Sequence, residues 1–425
     1  MSIRARPNLL ITTSTLPRWE SDSEAHFVLD LARHLRPWFD PTIVAPAAPG
    51  AALAGVLDGV RVVRYRYAPL RGAEVLCYPG AIMSRMRTNP AVAGLIPLLF
   101  AGLWRTVRAE LRRRRYACVH AHWFAPQGLL HALSFRARSH PPLVVTSHGG
   151  DMALLRYPFV AGAYRRVLRR ASAVTVVAPQ IARAIQQLMP SYPAEQLSVI
   201  PMGVDLDRFS SASRDSRWVR DRGLSAPAIL FVGRLVEKKG VQVLLEALAM
   251  PPLAATGASV AIAGDGPDRG RLEGQARALG VQERVRFLGA LPPDEIAAAL
   301  ASCDLYCGPS IAARDGDQDG LPTVLCEAAA CGLPLVGSDL AGIPLIVEDG
   351  VTGLLVPSGN PSALSRALAR LASDPDLRST CGRAARDRAA QFSWHRVAER
   401  YARVLMAAAR LGEPVTGAHP QEAPE

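Results

Sequence analysis

Lysine is nearly absent from this chain, although basic residues are common. Of the 49 lysine and arginine residues, only Lys238 and Lys239 are lysines. Alanine and arginine are abundant throughout, a pattern typical of a genome-wide coding bias. Against such a bias a retained lysine is informative, and both lysines stand together in "GRLVEKKGVQ" at 233–242.

Close cysteine pairs are also absent, because no CxxC spacing occurs. The seven cysteines are scattered and odd in number, which argues against a zinc site and against a disulfide framework. We therefore predict reduced, mostly buried cysteines in a cytoplasmic protein. The N-terminal apolar run, "NLLITT" at 8–13, is short and predicts a first strand rather than a signal peptide.

Long hydrophobic runs are scarce, and one stretch needs separate interpretation. "AVAGLIPLLFAGLW" at 91–104 contains 14 uncharged residues, fewer than the roughly 20 that a membrane-spanning helix needs. Arginines flank it on both sides and culminate in "RRRR" at 112–115, so it could lie on anionic lipid as an interfacial helix. We favour the alternative, a buried helix whose arginines complement its C-terminal dipole.

The net charge of +12 favours acidic partners such as nucleotide phosphates, anionic lipid or nucleic acid. A solvated arginine-rich surface accounts for much of this charge equally well. We do not expect nucleic-acid binding, because no basic motif is interleaved with aromatic residues.

The length of 425 residues exceeds one ordinary core and indicates two domains. Short apolar runs alternate with helical patterns such as 23–35 and 241–250. The runs predict strands at 8–13, 42–46, 60–65, 117–123, 142–148, 173–178, 228–233, 259–266, 285–290, 304–310 and 333–339. This alternation indicates an α/β fold with parallel sheets. Since so many strands exceed one comfortable sheet, we predict two Rossmann-like domains, divided within 199–210, that face a central cleft.

Ligands of such folds bind beyond the carboxyl ends of the strands, so the loops that follow strands are candidate sites. The first loop, "TSHGGDM" at 146–152, places His148 directly after a strand. Gly149 and Gly150 then allow a close approach of the backbone to a ligand, and Asp151 follows. A lone histidine is more often structural, yet this position makes His148 a reasonable site candidate.

The second loop, "VGRLVEKKG" at 232–240, joins a strand to a helix that begins near Gly240. Arg234 and Lys239 would both project beside the helix N-terminus, where a diphosphate is commonly held. Arginine offers a bidentate fork and lysine a compact charge. The alternative is a solvated basic loop.

The third loop is acidic and glycine-containing, "DGDQDGLPTVLCEAAACG" at 315–332, and runs directly into a helix. The backbone N–H groups at its start could bind a second phosphate edge; they belong to Gly320, Leu321, Thr323 and Val324. Glu327 lies on an otherwise apolar helix and would need a partner, for which a ribose diol is suitable. The aspartates, including Asp319, lack convincing metal-ligand spacing.

Together these segments resemble the retaining GT-B glycosyltransferases of family 4, the glycosyl transferases group 1 type. The matching segments are "GRLVEKKG", "DGLPTVLCEAAACGLPLV" as the E-x7-E element, "GIPLIVEDGVTGLLVPSGNP" and "SHGGD". The resemblance implies an acceptor domain at 1–205, a nucleotide-sugar donor domain at 206–392 and a helix at about 393–411 that crosses back to the first domain. We assign 412–425 to a flexible tail.

The resemblance also implies roles for individual residues. Arg234 and Lys239 would neutralise the donor diphosphate, together with the backbone at 320–324, and Glu327 would bind the ribose hydroxyls. Asp319 would contact the donor sugar, and His148 would lie near that sugar, with 149–151 on the acceptor side. No metal is expected, because these cations and the helix dipole supply the positive charge.

Three positions depart from the family pattern. Asp319 replaces the first glutamate of the E-x7-E element, and Leu345 stands where many relatives carry glutamate after Gly-Ile-Pro. The N-terminal Gly-Gly loop is replaced by "LPRWESDSEAHF" at 16–27, a kind of loop that is frequent in relatives acting in exopolysaccharide or cell-surface polymer assembly. Trp19 and Asp22, with Ser23, could contact the acceptor, and an ordinary surface loop is an equal alternative.

The expected activity is therefore transfer of a hexose-type sugar, with retention, from a nucleotide-diphosphate sugar to a glycan or lipid-linked acceptor. The enzyme would be cytoplasmic, with peripheral contact to the anionic inner face of the cell membrane. Two alternatives stay open at this point: a non-catalytic nucleotide-sugar-binding partner of a transferase complex, for which Asp319 is the motivation, and a sugar-nucleotide epimerase of the same fold.

Overall fold

The chain divides into two units, each with its own parallel sheet. A computed structural model of the chain describes residues 6–409, except 21, 23, 71, 79–81, 136–139, 216 and 315–317. The first unit comprises Met1–Pro201 with Val397–Glu425, and the second comprises Met202–Arg396. The division after Pro201 lies close to the boundary predicted at 205/206, and the predicted tail at 412–425 is outside the described residues.

The sheet of the first unit is almost entirely parallel. Its strands in the described ranges are β1 (Asn8–Thr12), β2 (Asp40–Pro46), β3 (Ala54–Leu57), β4 (Val60–Tyr65), β5 (Cys118–His122), β6 (Leu143–Ser147), β7 (Ala173–Val176) and β8 (Leu197–Val199). They follow the order β3-β4-β2-β1-β5-β6-β7-β8. Only the edge pair β3–β4 is antiparallel. Strands buried on both faces read as continuous apolar runs, which is why most of them are visible in the sequence.

Helices cover this sheet and connect its strands. They are α1 (Phe27–His34), α2 (Ile82–Thr88), α3 (Ile96–Arg113), α4 (Leu129–Ser134), α5 (Pro158–Arg170) and α6 (Pro179–Leu188). Each parallel connection contains at least a dozen residues, the length that a crossover requires.

The second unit has a smaller sheet in a doubly wound order. Its strands are β9 (Ala228–Val232), β10 (Ser259–Ala263), β11 (Val285–Gly289), β12 (Leu305–Gly308), β13 (Leu335–Ser338) and β14 (Gly353–Val356). The order β11-β10-β9-β12-β13-β14 places β9 and β12 side by side at the centre. The chain direction across the sheet reverses there, and the carboxyl ends of such a strand pair form the usual ligand site of this architecture.

The helices of the second unit are α7 (Trp218–Asp221), α8 (Val241–Ala249), α9 (Pro251–Ala254), α10 (Arg269–Ala278), α11 (Pro293–Ser302), α12 (Thr323–Ala330), α13 (Pro361–Ser373) and α14 (Pro375–Ala389). They bury two clusters of apolar side chains, one on each face of the sheet.

The last described helix, α15 (Trp394–Ala409), begins in the second unit and belongs from Val397 onward to the first. Tyr401 donates a hydrogen bond to the carbonyl of Ile200 over 3.2 Å, and Arg400 donates to the carbonyl of Val199 over 2.6 Å. These contacts attach the helix to the end of β8.

Each of the predicted strands is present, with bounds that differ by a few residues. Three strands, β3, β8 and β14, lie outside the predicted runs. Each has only three or four residues, and β3 is an edge strand whose side chains are mostly exposed. The prediction for the cysteines is confirmed in that all seven are buried and free.

The prediction of a buried helix at 91–104 holds for one face only. Leu99, Leu103 and Val107 form a buried stripe on α3, whereas Leu98 on the opposite face is 45% exposed. By length and composition alone, Pro90–Arg113 is long and apolar enough to cross a membrane. Only 22% of its most apolar 18-residue stretch is buried. The buried stripe contacts β2 and β4, so α3 is a covering helix of the sheet with an apolar outer face.

Candidate functional site

The two lysines lie in the connection from β9 to α8. Glu237–Lys239 form a short 3-10 turn, and Gly240 follows with a φ of 71°. A Cβ at position 240 would meet the carbonyl oxygen of Pro309 at 1.7 Å, so no side chain fits there without moving the loop after β12. Glycine therefore fixes the turn that carries Lys239 against the carboxyl end of β12.

Both lysines bind the same carboxylate. The Nζ atom of Lys239 lies 2.6 Å from Oδ2 of Asp319, and Nζ of Lys238 lies 3.2 Å from Oδ1. All three side chains are less than a quarter exposed. We call this group the lysine–aspartate cluster. Lys238, which the sequence left without any contact, is therefore an ion-pair partner of Asp319.

The lysines keep Asp319 ionised. Burial alone would raise the pKa of this carboxyl, but the charges of Lys239 and Lys238 outweigh burial and lower the pKa below its ordinary value of 3.8. Asp319 is thus an anion held by two cations. The cluster carries one net positive charge at neutral pH, and an anionic ligand can compensate that charge.

Helix α12 begins four residues after Asp319, with Pro322 at its N-cap and no side-chain cap. The first N–H groups of a helix have no partner within the helix, so those of Thr323 and Val324 are suited to an anion. The approach to the helix is held in place by Gly342, whose N–H donates to the carbonyl of Gly320 over 2.7 Å. Leu321, between them, is half-buried.

Glu327 is half-buried on α12, and Tyr306 of β12 lies close to it. Burial raises the pKa of Tyr306, and the nearby carboxylates of Glu327 and Asp319 raise it further. The phenol stays neutral and donates to the carbonyl of Val232 over 3.3 Å. Tyr306 thereby links β12 to the end of β9. Arg234, by contrast, is exposed in the loop after β9.

In the first unit, His148 follows β6 and binds a second histidine. Its Nε2 lies 2.9 Å from Nδ1 of His122, at the end of the neighbouring strand β5, and the two rings are stacked with an interplanar angle of 10°. Trp123 and Phe27 each place a ring centroid 4.8 Å from that of His148. Phe27 is the first residue of α1, at the end of the 16–27 loop.

A third histidine completes this group. His120 lies on the same face of β5 as His122, with ring centroids 4.3 Å apart, and its Nε2 lies 2.6 Å from the hydroxyl of Thr146. We call His120, His122 and His148 the histidine cluster. Burial lowers the pKa of His148 to about 3 and that of His120 to about 3, and burial and the neighbouring histidines lower the pKa of His122 as well. The cluster is therefore neutral at physiological pH.

Asp151 organises the loop around His148 from inside. Its side chain is buried, accepts from the Ser147 hydroxyl over 2.6 Å and from the backbone N–H of Phe124 over 2.8 Å. Burial raises the pKa of its carboxyl, and this effect outweighs the hydrogen bonds, which act to lower the pKa. Gly149, with a φ of 100°, and the exposed Gly150 leave the backbone of the loop open above it. Asp151 is placed to position this loop, and its carboxylate faces inward.

The loop at 16–27 is held by its own ion pair. Asp22 is buried and bound in bidentate fashion by the Arg18 guanidinium, over 2.8 and 2.7 Å. Trp19 is 42% exposed and lies against the same guanidinium, 4.3 Å from the ring centroid. Of the two acceptor candidates in this loop, only Trp19 presents its side chain to solvent. Ser23 lies outside the described residues.

Leu345, another departure from the family pattern, is half-buried and packs on the second unit's apolar core. Its carbonyl accepts two hydrogen bonds from Arg388, over 3.0 and 2.9 Å. No group of three or more His, Cys, Asp or Glu that could hold a metal ion occurs in the described part of the chain.

Sequence reasoning missed His120, His122 and Lys238. A signal for the histidines was available in "ACVHAHW", since alternate residues at the end of a strand share a face. The residue opposite His122 in the sheet is Thr146, two before His148, so their contact depends on the strand order. No sequence signal indicated that Lys238 would turn toward Asp319.

Comparison with known proteins gives the same two-part division. Residues 25–208 match the model of Glycosyltransferase Family 4, and residues 213–388 match that of the glycosyl transferases group 1. A GDP-mannose-dependent alpha-(1-6)-phosphatidylinositol monomannoside mannosyltransferase of Mycolicibacterium smegmatis is 33% identical over 67% of this chain and 75% of its own length.

Another relative is a D-inositol 3-phosphate glycosyltransferase of Corynebacterium jeikeium, 36% identical over 51% of this chain. Here the chain spans about half of the relative's length, 53%.

Two solved structures share the fold. Sucrose-phosphate synthase from Thermosynechococcus elongatus has a TM-score of 0.73 at 21% identity, covering 93% of this chain and 97% of the other. Anabaena HepE in complex with UDP and glucose has a TM-score of 0.66 at 20% identity, covering 95% of this chain and 100% of the other. At these identities the likeness establishes the GT-B type of fold.

Proposed function

Because the chain belongs to glycosyltransferase family 4, of the glycosyl transferases group 1 type, we propose that it transfers a hexose-type sugar from a nucleotide-diphosphate sugar. The acceptor is a glycan or a lipid-linked glycan, and the anomeric configuration is retained. The observation that carries this proposal is the lysine–aspartate cluster beside the uncapped start of α12.

The proposed donor site lies at the carboxyl ends of β9 and β12. Lys239 and Arg234 bind the diphosphate, with the N–H groups of Thr323 and Val324 at the dipole-positive end of α12. Charge builds on the diphosphate as the bond to the sugar breaks, and preorganised cations and dipoles are the groups that stabilise such charge. This arrangement supplies the role that a metal ion has in other transferases, so we propose metal-independent transfer.

Asp319 and Glu327 have separate proposed roles. Glu327, on the first turns of α12, binds the ribose hydroxyls of the donor. Asp319 contacts the sugar, and Lys239, which lies 2.6 Å from its carboxylate, binds the phosphate. The shorter side chain of Asp319, compared with glutamate in the family pattern, is matched by two lysines that reach toward it.

His148 acts, in this proposal, as a neutral hydrogen-bond donor to the transferred sugar. Nε2 of the buried His122 has no hydrogen-bond partner among the residues that the structure describes. An N–H at that atom would be buried without an acceptor, which is costly, so we assign the proton of His122 to Nδ1. That proton is donated to Nε2 of His148, and the proton of neutral His148 is therefore on Nδ1.

The acceptor side of the proposal includes Gly149, Gly150 and Trp19. One relative is named for a phosphatidylinositol monomannoside, a lipid-linked acceptor, which favours an acceptor at a membrane surface; the other is named for the water-soluble inositol 3-phosphate. We accordingly propose a cytoplasmic enzyme that works at the inner face of the cell membrane.

A donor panel tests the proposal. Thermal shift and donor hydrolysis are measured with GDP-mannose, UDP-glucose, ADP-glucose and dTDP-glucose, because a ligand that binds only the folded chain raises the melting temperature. We expect one base to stabilise wild type and not Lys239→Ala. Transfer is then measured with extracted membrane glycolipid, with chelator present, and the product's anomeric configuration is read by NMR.

The control variant is Arg217→Ala, because Arg217 is exposed and its replacement removes one positive charge elsewhere in the second unit. If no nucleotide-sugar shifts the melting temperature of wild type, the donor site is wrong. If chelator abolishes transfer, or the product is inverted, the mechanism fails while the family assignment stands.

A further inference from the structure

A cavity of about 470 Å³ lies in the first unit between α3 and the residues that follow β4, and none of its lining residues belongs to either cluster. Its volume is within the range of small-ligand sites. Gly102 is one of its lining residues, and a Cβ there would meet the carbonyl oxygen of Arg66 at 2.4 Å. The close approach of α3 to the end of β4 thus depends on glycine, and the cavity opens beside that contact.

Two guanidinium groups line the cavity, Arg66 and Arg105. Arg66 donates from Nε to Glu74 over 2.9 Å, but its buried Nη2 has no hydrogen-bond partner in the described part of the chain. A buried donor without an acceptor costs free energy and is rare in native proteins. Arg105 is exposed and makes no ion pair with any described residue. The cavity therefore has cationic donors in excess of acceptors.

The rim of the cavity is apolar on the solvent side. Leu98, on the outer face of α3, is 45% exposed, and Leu70, next to the lining residue Pro69, is 71% exposed. Ala101 lies between Leu98 and Arg105 along the helix. A ligand that satisfies all of these groups has an anionic head and an apolar body.

We propose that this cavity binds the headgroup phosphate of an anionic phospholipid in a bilayer. The planar guanidinium fork matches a phosphate in bidentate fashion. The Arg66 side chain is 35% exposed, and a small rotation of it would bring Nη2, which has no partner among the described residues, to the bound phosphate. The acyl region is covered by Leu98 and Leu70, and the arginines farther along α3 add general attraction to anionic lipid. A free phosphate would satisfy the arginines but leave the exposed leucines without a function.

The inference does not depend on the proposed transfer reaction. It assigns α3 as the surface that meets the membrane, with the cavity as its specific element. The buried stripe of α3 stays on the sheet, so the helix lies on the bilayer and does not cross it.

Sedimentation with vesicles tests the site in the full chain. Vesicles of phosphatidylcholine alone are compared with vesicles that contain phosphatidylcholine and phosphatidylglycerol in equal amounts. We expect binding to the anionic vesicles only. Arg66→Gln should weaken it at least about tenfold, because a charged hydrogen bond is lost, and Arg105→Gln about fivefold or more. Ala101→Trp, which fills the cavity and keeps the charge, should also weaken binding.

The matched control is Arg112→Gln, which removes an exposed charge from the same helix outside the cavity. Circular dichroism and melting temperature verify that each variant is folded, and Arg105→Gln and Ala101→Trp keep the test valid if Arg66→Gln is unstable. Equal losses for Arg112→Gln and Arg105→Gln would mean diffuse attraction and overturn the site. Binding to both kinds of vesicle alike would do the same.

Calorimetry with inorganic phosphate and with soluble short-chain phosphatidylglycerol separates the two sources of phosphate. We expect a heat of binding when the short-chain lipid is added to wild type, and a smaller heat with Arg105→Gln. Equal affinity for inorganic phosphate, without vesicle binding, would overturn the lipid assignment.

Discussion

The histidine cluster of the first unit and the lysine–aspartate cluster of the second are both largely buried, yet burial has opposite outcomes. In the first, no opposite charge of a described residue compensates for burial, and burial lowers the pKa of His148 to about 3. In the second, burial acts on Asp319 against two lysines, and the lysines lower its pKa. Desolvation disfavours charge in both places. A counter-charge within hydrogen-bond distance decides whether the group is ionised.

This difference separates two kinds of chemistry in one chain. Neutral imidazoles can orient a sugar by hydrogen bonds without competing for the phosphate. Ionised groups with one excess positive charge can bind a diphosphate. Variants of each cluster can test whether the lysine–aspartate cluster works in its charged form and the histidine cluster in its neutral form.

The largest effect is expected at Lys239. Lys239→Ala removes a cation that stabilises the leaving diphosphate, so kcat/KM should fall by about 10²-fold or more. Lys239→Arg should also lose activity substantially, because a wider planar head must fit a space shaped for an ammonium. Steady-state transfer with the donor found in the panel measures both.

Lys238→Ala is the matched control for this prediction, since both lysines bind Asp319 from the same turn. Its loss should be less than about tenfold, in line with one weakened ion pair. Equal losses at the two positions would mean that both act only through Asp319.

A smaller effect is expected when the link between the two histidines is broken. His122→Leu removes the donor to His148, and kcat/KM should fall about fivefold to tenfold. His122→Asn places an amide N–H near the position of Nδ1 and should stay within about threefold of wild type. The ¹⁵N shifts of His148 provide a second readout, because its tautomer should change in the leucine variant only. Identical behaviour of the two variants would contradict the assigned tautomers.

A still smaller effect is expected at Asp319. Asp319→Glu restores the residue type of the family pattern, but the carboxylate already binds both lysines, and one more methylene must displace them. We expect kcat/KM to stay within about threefold of wild type, since both ion pairs can form again after a small shift of the lysines. A large gain in activity would indicate a degenerate site and would favour the non-catalytic alternative.

The sequence predicted those site residues that directly follow the carboxyl end of a strand. β6, β9 and β12 are buried on both faces and legible as apolar runs, so His148, Arg234 and Lys239 could be placed at carboxyl ends. The partners His122 and Lys238 could not be predicted, because one depends on which strands are neighbours and the other on how a turn directs its side chain. Asp151 and Asp22 were expected at the acceptor side, yet hydrogen bonds turn both carboxylates inward.

The smallest effect is expected on changing the pH. His148 has a lowered pKa of about 3, so its working neutral form should persist from about pH 8 down to about pH 5. We compare wild type with His148→Asn, which retains a donor near Nδ1, and take the ratio of their kcat/KM values so that other titrating groups cancel.

The ratio should be constant over this range. Since an unfolded histidine titrates near its ordinary pKa of 6.5, falling pH favours the unfolded chain below that value, and the melting temperature is therefore recorded at each pH. A ratio that changes with an apparent pKa near 6.5, while the fold is intact, would mean that His148 is solvated and ionises. In that case the histidine cluster would be charged like the lysine–aspartate cluster, and the contrast between the two sites would be lost.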